Sequence, residues 1–453
     1  MQRESVLNAR HCHGLITRRV FEIAADRLAG VSRSLRPARL IIAISAALLV
    51  AYVVIWSQIN SIDLGRSDFT AFYVGGTLLR EGHSGDLYNE AIQQPLHSLL
   101  IAPDREANLP FVNTPVAAAL VLPVTFLSLT DAYRVWSVLE LAILVLAVVL
   151  AVRSVEWPSE TPRVWKVAVG AAALASMGTW TMFMQAQWTP LLALGLVLAY
   201  RSWKRGHLAT GAAVLVVSAG IAKPHLALGI LAFMLGWRRR QVIIGAVAGA
   251  AGLVLASLAL VGPSGISGFV NILASSTTRW DLSKMVSFIG VVGAVFGNVT
   301  SAHLIGLVAS LAACAAAVWL GMAVRRDPTR LDTALAGAAV LSLVASPQAY
   351  HDDLVMLAPA MVLGVAAAAR RCTANARVTL TSPPTLVFGA WALITIAAFG
   401  DFVDAATFPP GQLAGWALVL AAVLAYVGTR RPNELGKVAR VLATPLGGVQ
   451  SRS

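Results

Sequence analysis

The sequence predicts an all-α polytopic membrane protein, and three observations carry that prediction. Of 453 residues, 57% are hydrophobic and only 13% charged, where soluble domains carry about 25% charge. Apolar runs of about 20 residues, the length that crosses a bilayer, recur between Leu40 and Val427. The arginines and lysines cluster in short gaps between those runs, the pattern of cytoplasmic loops under the positive-inside rule. Mean hydropathy is +0.72.

The net charge of +13 would suggest nucleic acid in a soluble chain. Here loop placement accounts for it, so no nucleic-acid partner is expected and the bilayer is the expected surroundings. Cys12, Cys314 and Cys372 are far apart, with no metal spacing and no disulfide framework.

Residues 1–39 hold eight arginines against Glu4, Glu22 and Asp26. Leu15 to Ile23 has helical amphipathic spacing, which fits a segment lying on the inner membrane surface or a solvated basic tail. A first helix over about 40–59 is too long for a signal h-region and is read as a retained anchor, with the N-terminus cytoplasmic. Residues 60–110 form a first outer loop. In it Asp68 to Gly82 reads as a short amphipathic helix with Phe69, Phe72, Tyr73, Leu78 and Leu79 on its apolar side. A second short helix starts near Asp86-Leu87-Tyr88 and reaches about Leu100. Both are expected to lie at the membrane interface.

Apolar segments follow at about 111–129, 132–152, 165–184, 187–200, 208–222, 224–237 and 241–262. They resume at about 302–324, 331–346, 350–369, 385–400 and 412–429. Basic loops at Arg201 to Arg205, Trp237 to Arg240, Arg325-Arg326, Arg370-Arg371 and Arg430-Arg431 mark the inside. Lys223-Pro224-His225, the 263–301 loop, Ser346 to Asp353 and Gly400 to Pro410 then fall outside. Two cytoplasmic termini require an even number of crossings, so one segment between 111 and 200 must turn back. The short run 187–200 is the expected one, leaving about 12 transmembrane helices. The chain divides into a basic segment 1–39, a transmembrane domain 40–429 and a cytoplasmic tail 430–453.

Polar residues at outer helix ends are the candidate site. Asp68 stands where a membrane helix emerges, a costly place for a carboxylate unless it is solvated, paired or used; it could also simply cap the helix that follows. Tyr73 lies just beyond it. Gln185-Ala186-Gln187-Trp188 is a polar patch between apolar runs, with Trp188 a possible interfacial aromatic. Lys223-Pro224-His225 breaks a long apolar stretch, and Lys223 could instead snorkel. Ser346 to Asp353 brings His351, Asp352 and Asp353, which could serve as a helix cap. Their convergence at one membrane depth suits sugar transfer from a lipid phosphate. That reaction needs a carboxylate to deprotonate the acceptor hydroxyl, met by Asp68. It also needs groups against the charge on the leaving phosphate, met by Lys223 and His351. The chain has no Gly-rich phosphate loop and no D-x-D in a soluble region, so a nucleotide-sugar donor is not indicated. No cofactor is indicated either; a divalent metal on Asp352 and Asp353 would rest only on two adjacent carboxylates.

Asp68-Phe69-x-x-Phe72-Tyr73 before Gly82 and Asp86-Leu87-Tyr88 resembles the first outer loop of glycosyltransferase family 87. Phe111-x-Asn113-x-Pro115 with Pro123, Gln187 heading a short apolar run, Lys223-Pro224, and Ser346-Pro347 followed by His351 extend the resemblance over about 60–360. The resemblance implies a GT-C-like fold and a plasma (inner) membrane hexosyltransferase using a polyprenyl-phosphate sugar. A lipid or glycan would be the acceptor, on the outer face, with mannosyl among the sugars. It implies Asp68 as catalytic base and Lys223 and His351 as contacts to donor phosphate or sugar. Tyr73, Asn113, Gln187 and Asp352 complete the expected substrate-binding set. The chain departs from the pattern where Gln185-Ala186-Gln187 replaces a Gly-Gln pair and where Asn113 replaces an aromatic. A secondary transporter or lipid flippase would also place a Lys and a His within the membrane, and a non-catalytic scaffold would leave Asp68, Lys223 and His351 dispensable.

Overall fold

The computed structural model describes residues 35–102, 109–276, 282–297, 299–372, 382–403 and 412–429. Nearly all of the basic segment 1–39, with Cys12 and the run Leu15 to Ile23, lies outside the described residues. So do the tail 430–453, with Arg430-Arg431, and most of the Gly400 to Pro410 loop. The described residues are helical throughout, with no strand among them.

Helix α1 (Leu35–Ser57) carries Pro37 in its first turn, where a missing N–H costs nothing. Asn60 then caps α2 (Ser61–Gly65), its side chain accepting from the Ile62 and Asp63 N–H groups, both at 2.9 Å. Helix α3 (Phe69–Arg80) and α4 (Glu90–Ile101) follow. Residues Phe69 to Leu78 of α3 are all buried. An interfacial helix would show water one face, so α3 corrects the expectation: it is packed inside the protein.

Helix α5 (Pro115–Val121) runs into a 3-10 turn, Leu122–Phe126. Together they rise roughly 20 Å, too short for a hydrocarbon core about 30 Å thick. Helix α6 (Leu129–Ser154) is capped by Ser128. Helices α7 (Arg163–Leu174) and α8 (Met177–Gln185) form one apolar pair bent by 49°. Helix α9 (Thr189–Lys204) is unbroken for 16 residues. The irregular backbone expected at 187–200 is instead found at Leu122–Phe126 and at the α7–α8 bend. Trp188, at the head of α9, is fully buried against Trp136 and Phe72 and is no interfacial aromatic.

Helix α10 (Leu208–Ala222) stops at the extended residue Lys223, and α11 (Leu228–Trp237) begins after a 3-10 turn over Pro224–Ala227. Proline cannot continue the α10 ladder, and it biases the preceding residue to extended backbone. Helix α12 (Arg240–Ser276) is interrupted at Gly262, where φ is +66° ahead of Pro263. The outer loop expected at 263–301 is therefore largely helical: α12 continues to Ser276, and α13 (Phe288–Phe296) follows. The chain ends in α14 (Thr300–Arg326), α15 (Leu331–Ala345), a 3-10 turn His351–Met356, α16 (Leu357–Arg371), α17 (Pro383–Val403) and α18 (Gln412–Thr429).

Among the described residues six helices are long and apolar enough to cross a membrane, or seven if the bent α7–α8 pair is one span. Burial sorts them. The most apolar window of α1 is 11% buried, whereas that of the segment His351–Arg371 is 94% buried. Val254 and Leu255 of α12 and Leu304, Val308 and Leu311 of α14 are exposed. Apolar stripes of that length are tolerated where lipid covers them. Inside, helices meet through small residues. A Cβ on Gly245 would sit 2.0 Å from the Ala209 carbonyl oxygen, so α10 and α12 touch backbone to backbone. Gly245 and Gly249 thus pack α12 against α10 within the chain, whereas Gly252 faces open space.

Candidate active site

A cavity of about 860 Å³ opens where α3, α5, α8, α10 and the 346–353 segment converge. Its polar end carries Asp68, Asn113, Gln187, Lys223, His351 and Asp352. Its other lining is mostly apolar, with Phe269, Leu273, Leu282, Met285, Ile289 and Leu307, and also carries Lys284 and His303.

Asp68 occupies the cap position of α3, yet its side chain accepts no bond from that helix. The capping explanation therefore falls. Its N–H donates to Gln185 Oε1 at 3.0 Å, and its Oδ2 accepts from Gln187 Nε2. Burial and the Asp352 carboxylate raise its pKa from 3.8 to about 6, against the lowering effects of Lys223 and the Gln187 bond. At neutral pH such a carboxylate is mostly ionised and a stronger base than a surface aspartate.

Gln187 reaches Asp68 because α8 ends in a left-handed residue, Ala186, at φ +52°. Glycine suits that conformation better, which is the physical content of the Gly-Gln pair that this chain lacks. The Gln187 N–H closes the turn on the Met182 carbonyl at 3.2 Å. Its Oε1 is buried without a hydrogen-bond partner.

Lys223 lies between two carboxylates, 2.9 Å from Asp352 Oδ2 and 2.7 Å from Asp353 Oδ1. It does not snorkel. Asp353 is fully committed: Oδ1 also accepts from Thr189 Oγ1 at 2.8 Å and Oδ2 from the Tyr350 N–H at 2.9 Å. Asn113 Nδ2 donates to the Ala222 carbonyl at 2.8 Å, and Thr114 Oγ1 to that of Gly220 at 3.1 Å. These bonds satisfy the open end of α10 just before Lys223. The Asp352–Asp353 pair faces a lysine, and among the described residues no three His, Cys, Asp or Glu side chains form a metal-ligand group.

Tyr73 is not part of this arrangement. Its hydroxyl donates to the Leu127 carbonyl at 2.8 Å, on the far side of α3 from Asp68. His351 Nε2 lies 3.2 Å from Asp401 Oδ2. Asp401, fully buried at the end of α17, and Thr189 were missed in the sequence. Asp401 carried the same signal as Asp68, a carboxylate where an apolar run ends.

Residues 111–347, just over half of the chain, match the profile of glycosyltransferase family 87. The chain belongs to glycosyltransferase family 87. It is a membrane glycosyltransferase, and the transporter and scaffold readings lapse. No curated protein and no solved structure matches it. The matched stretch includes Asn113, Gln187 and Lys223 of the transferase; Asp68 precedes it, and His351, Asp352 and Asp401 follow it.

Proposed function

We propose that this transferase moves a hexosyl unit from a polyprenyl-phosphate sugar to a lipid or glycan acceptor, with Asp68 as the base. The observation that carries the reading is a carboxylate at the cavity's edge, held by Gln187 yet uninvolved in capping its own helix. In the step, Asp68 takes the proton of the acceptor hydroxyl. The acceptor oxygen bonds to the anomeric carbon, and the bond from that carbon to the phosphate oxygen breaks. Its electron pair leaves on the polyprenyl phosphate. A single displacement of this kind inverts the anomeric centre.

The lipid-borne donor is supported by the cavity's two characters: a polar end for sugar and phosphate beside an apolar wall for a prenyl tail. Lys223 has two of its three N–H donors committed to carboxylates. It sets the charge of the polar end and offers one donor to phosphate, alongside His351. Asn113 stands ready for a sugar hydroxyl, Gln187 holds Asp68, and Asp352 tunes Asp68.

The proposed sidedness is supported by the opposite ends of the same helices. Helices α9, α15 and α16 run from Thr189, Ala345 and Leu357 near the cavity to Lys204, Asp332 and Arg370. The arginines and lysines gather at that second end, which the positive-inside rule assigns to the cytoplasm. The cavity then faces out of the inner membrane and both termini face in. Twelve crossings result if the short Pro115–Phe126 piece is the half-span. The transmembrane domain is 40–429, between basic segment 1–39 and tail 430–453.

The test uses purified full-length protein in proteoliposomes, offered radiolabelled polyprenyl-phosphate sugars and nucleotide sugars with a membrane lipid extract. Label moving to a new lipid from a polyprenyl phosphate alone supports the reading. Transfer from a nucleotide sugar without any lipid-phosphate donor contradicts it.

A further inference from the structure

We propose that Lys284 is a phosphate-binding residue of the transferase, its ammonium meeting the phosphate of the lipid-borne donor where the polar end of the cavity gives way to the apolar lining. The proposal rests on the reading of the donor as a polyprenyl-phosphate sugar. In such a molecule the phosphate joins sugar to prenyl chain, so its place is the border between the two linings. The polar end by itself serves an anion poorly. Its lysine, Lys223, stands with Asp68, Asp352 and Asp353 and donates to the last two. A phosphate brought there adds negative charge beside an excess of carboxyl groups, unless a second cation faces it.

Lys284 supplies that cation. It ends a 3-10 turn, Leu282–Lys284, that leads into α13. Leu282 and Met285 are 2% and 1% exposed and pack with Ile289 against Tyr350. Gly290 has no room for a Cβ against the Met285 carbonyl, so the turn lies directly on α13. The Val286 N–H donates to the Ala349 carbonyl at 2.7 Å, which ties the turn to the stretch that carries His351. Between its two buried anchors Lys284 stays exposed and lines the cavity. Among the described residues it has no acidic partner: the cavity's four carboxyl groups are held by Gln187, Lys223 and His351. A lysine on its long stem meets phosphate as a point charge. The polyprenyl phosphate that leaves carries more negative charge than the donor diester, so the contact strengthens as the bond to the anomeric carbon breaks.

The experiment measures binding of radiolabelled farnesyl phosphate to the full-length protein in neutral detergent. Wild type is compared with Lys284→Met, Lys284→Gln and Lys284→Arg, and each protein's melting temperature is recorded. Farnesol and phosphatidylglycerol serve as competitors. The first has the isoprenoid chain without a phosphate, and the second has a phosphate on a different lipid.

Wild type should hold farnesyl phosphate more tightly than farnesol. Lys284→Met should weaken farnesyl phosphate binding about tenfold, with the farnesol constant and the melting temperature unchanged. Lys284→Gln should lose as much, because it keeps a donor but not the charge, and it decides the matter if the methionine variant does not fold. Lys284→Arg should recover most of the loss. Farnesyl phosphate bound within about twofold of wild type by folded Lys284→Met would overturn the assignment. So would a loss confined to phosphatidylglycerol, which would make Lys284 a contact to membrane headgroups. If wild type itself holds farnesyl phosphate no better than farnesol, the lipid-phosphate donor reading fails and the proposal falls with it.

Discussion

The two ends of helices α9, α15 and α16 hold charge in opposite ways. At the cavity end Asp352 and Asp353 hold Lys223, Asp68 lies near it and Asp401 meets His351; Asp353 and Asp401 are nearly inaccessible. At the other end cations outnumber anions and, apart from Arg370 on the buried Asp332, the pairs are open: Lys204 meets Glu156 at 2.5 Å with the two side chains 35% and 64% accessible. Arg330 meets Asp327 at 3.1 Å, also near the surface. Exposed pairs contribute about 0–1 kcal/mol each, whereas removing one partner of a buried pair costs about 3–5 kcal/mol. On the proposed sidedness, charge at the basic end orients the chain in the bilayer. Charge at the cavity end is held at a cost that stability alone does not explain, and the proposed chemistry accounts for it.

Breaking that contrast starts with Lys223→Met, which strands Asp352 and Asp353 in the interior. It should lower unfolding stability in detergent by about 3–5 kcal/mol; a loss under about 1 kcal/mol would mean the ion pairs are not buried as described.

The pH profile sharpens the comparison next. Asp68 must be ionised to act, so kcat should fall tenfold per unit as pH drops below about 6. The stability effect has the opposite sign. Because the folded-state pKa is raised above 3.8, Asp68 favours folding at acid pH and that contribution is lost as pH rises through about 6. Asp68→Asn should therefore be at least as stable as wild type near about pH 8, and its stability should fall less steeply than wild type's as pH rises toward about 6.

A smaller effect is expected at Ala186. Replacing it by glycine relieves the left-handed backbone and should stabilise by about 1 kcal/mol, read as a raised melting temperature. Smallest of all is Lys204→Met, which should change stability by less than about 1 kcal/mol and only at low salt.

Much of this was legible in the sequence, for identifiable reasons. Apolar run length located most of the helices, and the Lys223-Pro224 break predicted the end of α10 because proline acts locally. Asp68, Gln187, Lys223, His351 and Asp352 were found as polar residues ending apolar runs, a signal that needs no tertiary knowledge. Tyr73 was misplaced because five residues advance a helix by about 140°, turning it from Asp68's face. Helix α3 was read as interfacial although its polar residues are few; a helix apolar all round belongs in the interior. Asp401 lay in an expected loop, and its pairing with His351 depends on a contact 50 residues apart. No local pattern encodes that.

The most direct test of the central claim is sugar transfer by Asp68→Asn beside wild type, with radiolabelled polyprenyl-phosphate sugar as donor and both proteins shown to be folded. The account predicts that the asparagine variant binds donor as wild type does and transfers about 10²–10⁴-fold more slowly. Transfer at the wild-type rate by folded Asp68→Asn would contradict it and remove Asp68 from the chemistry.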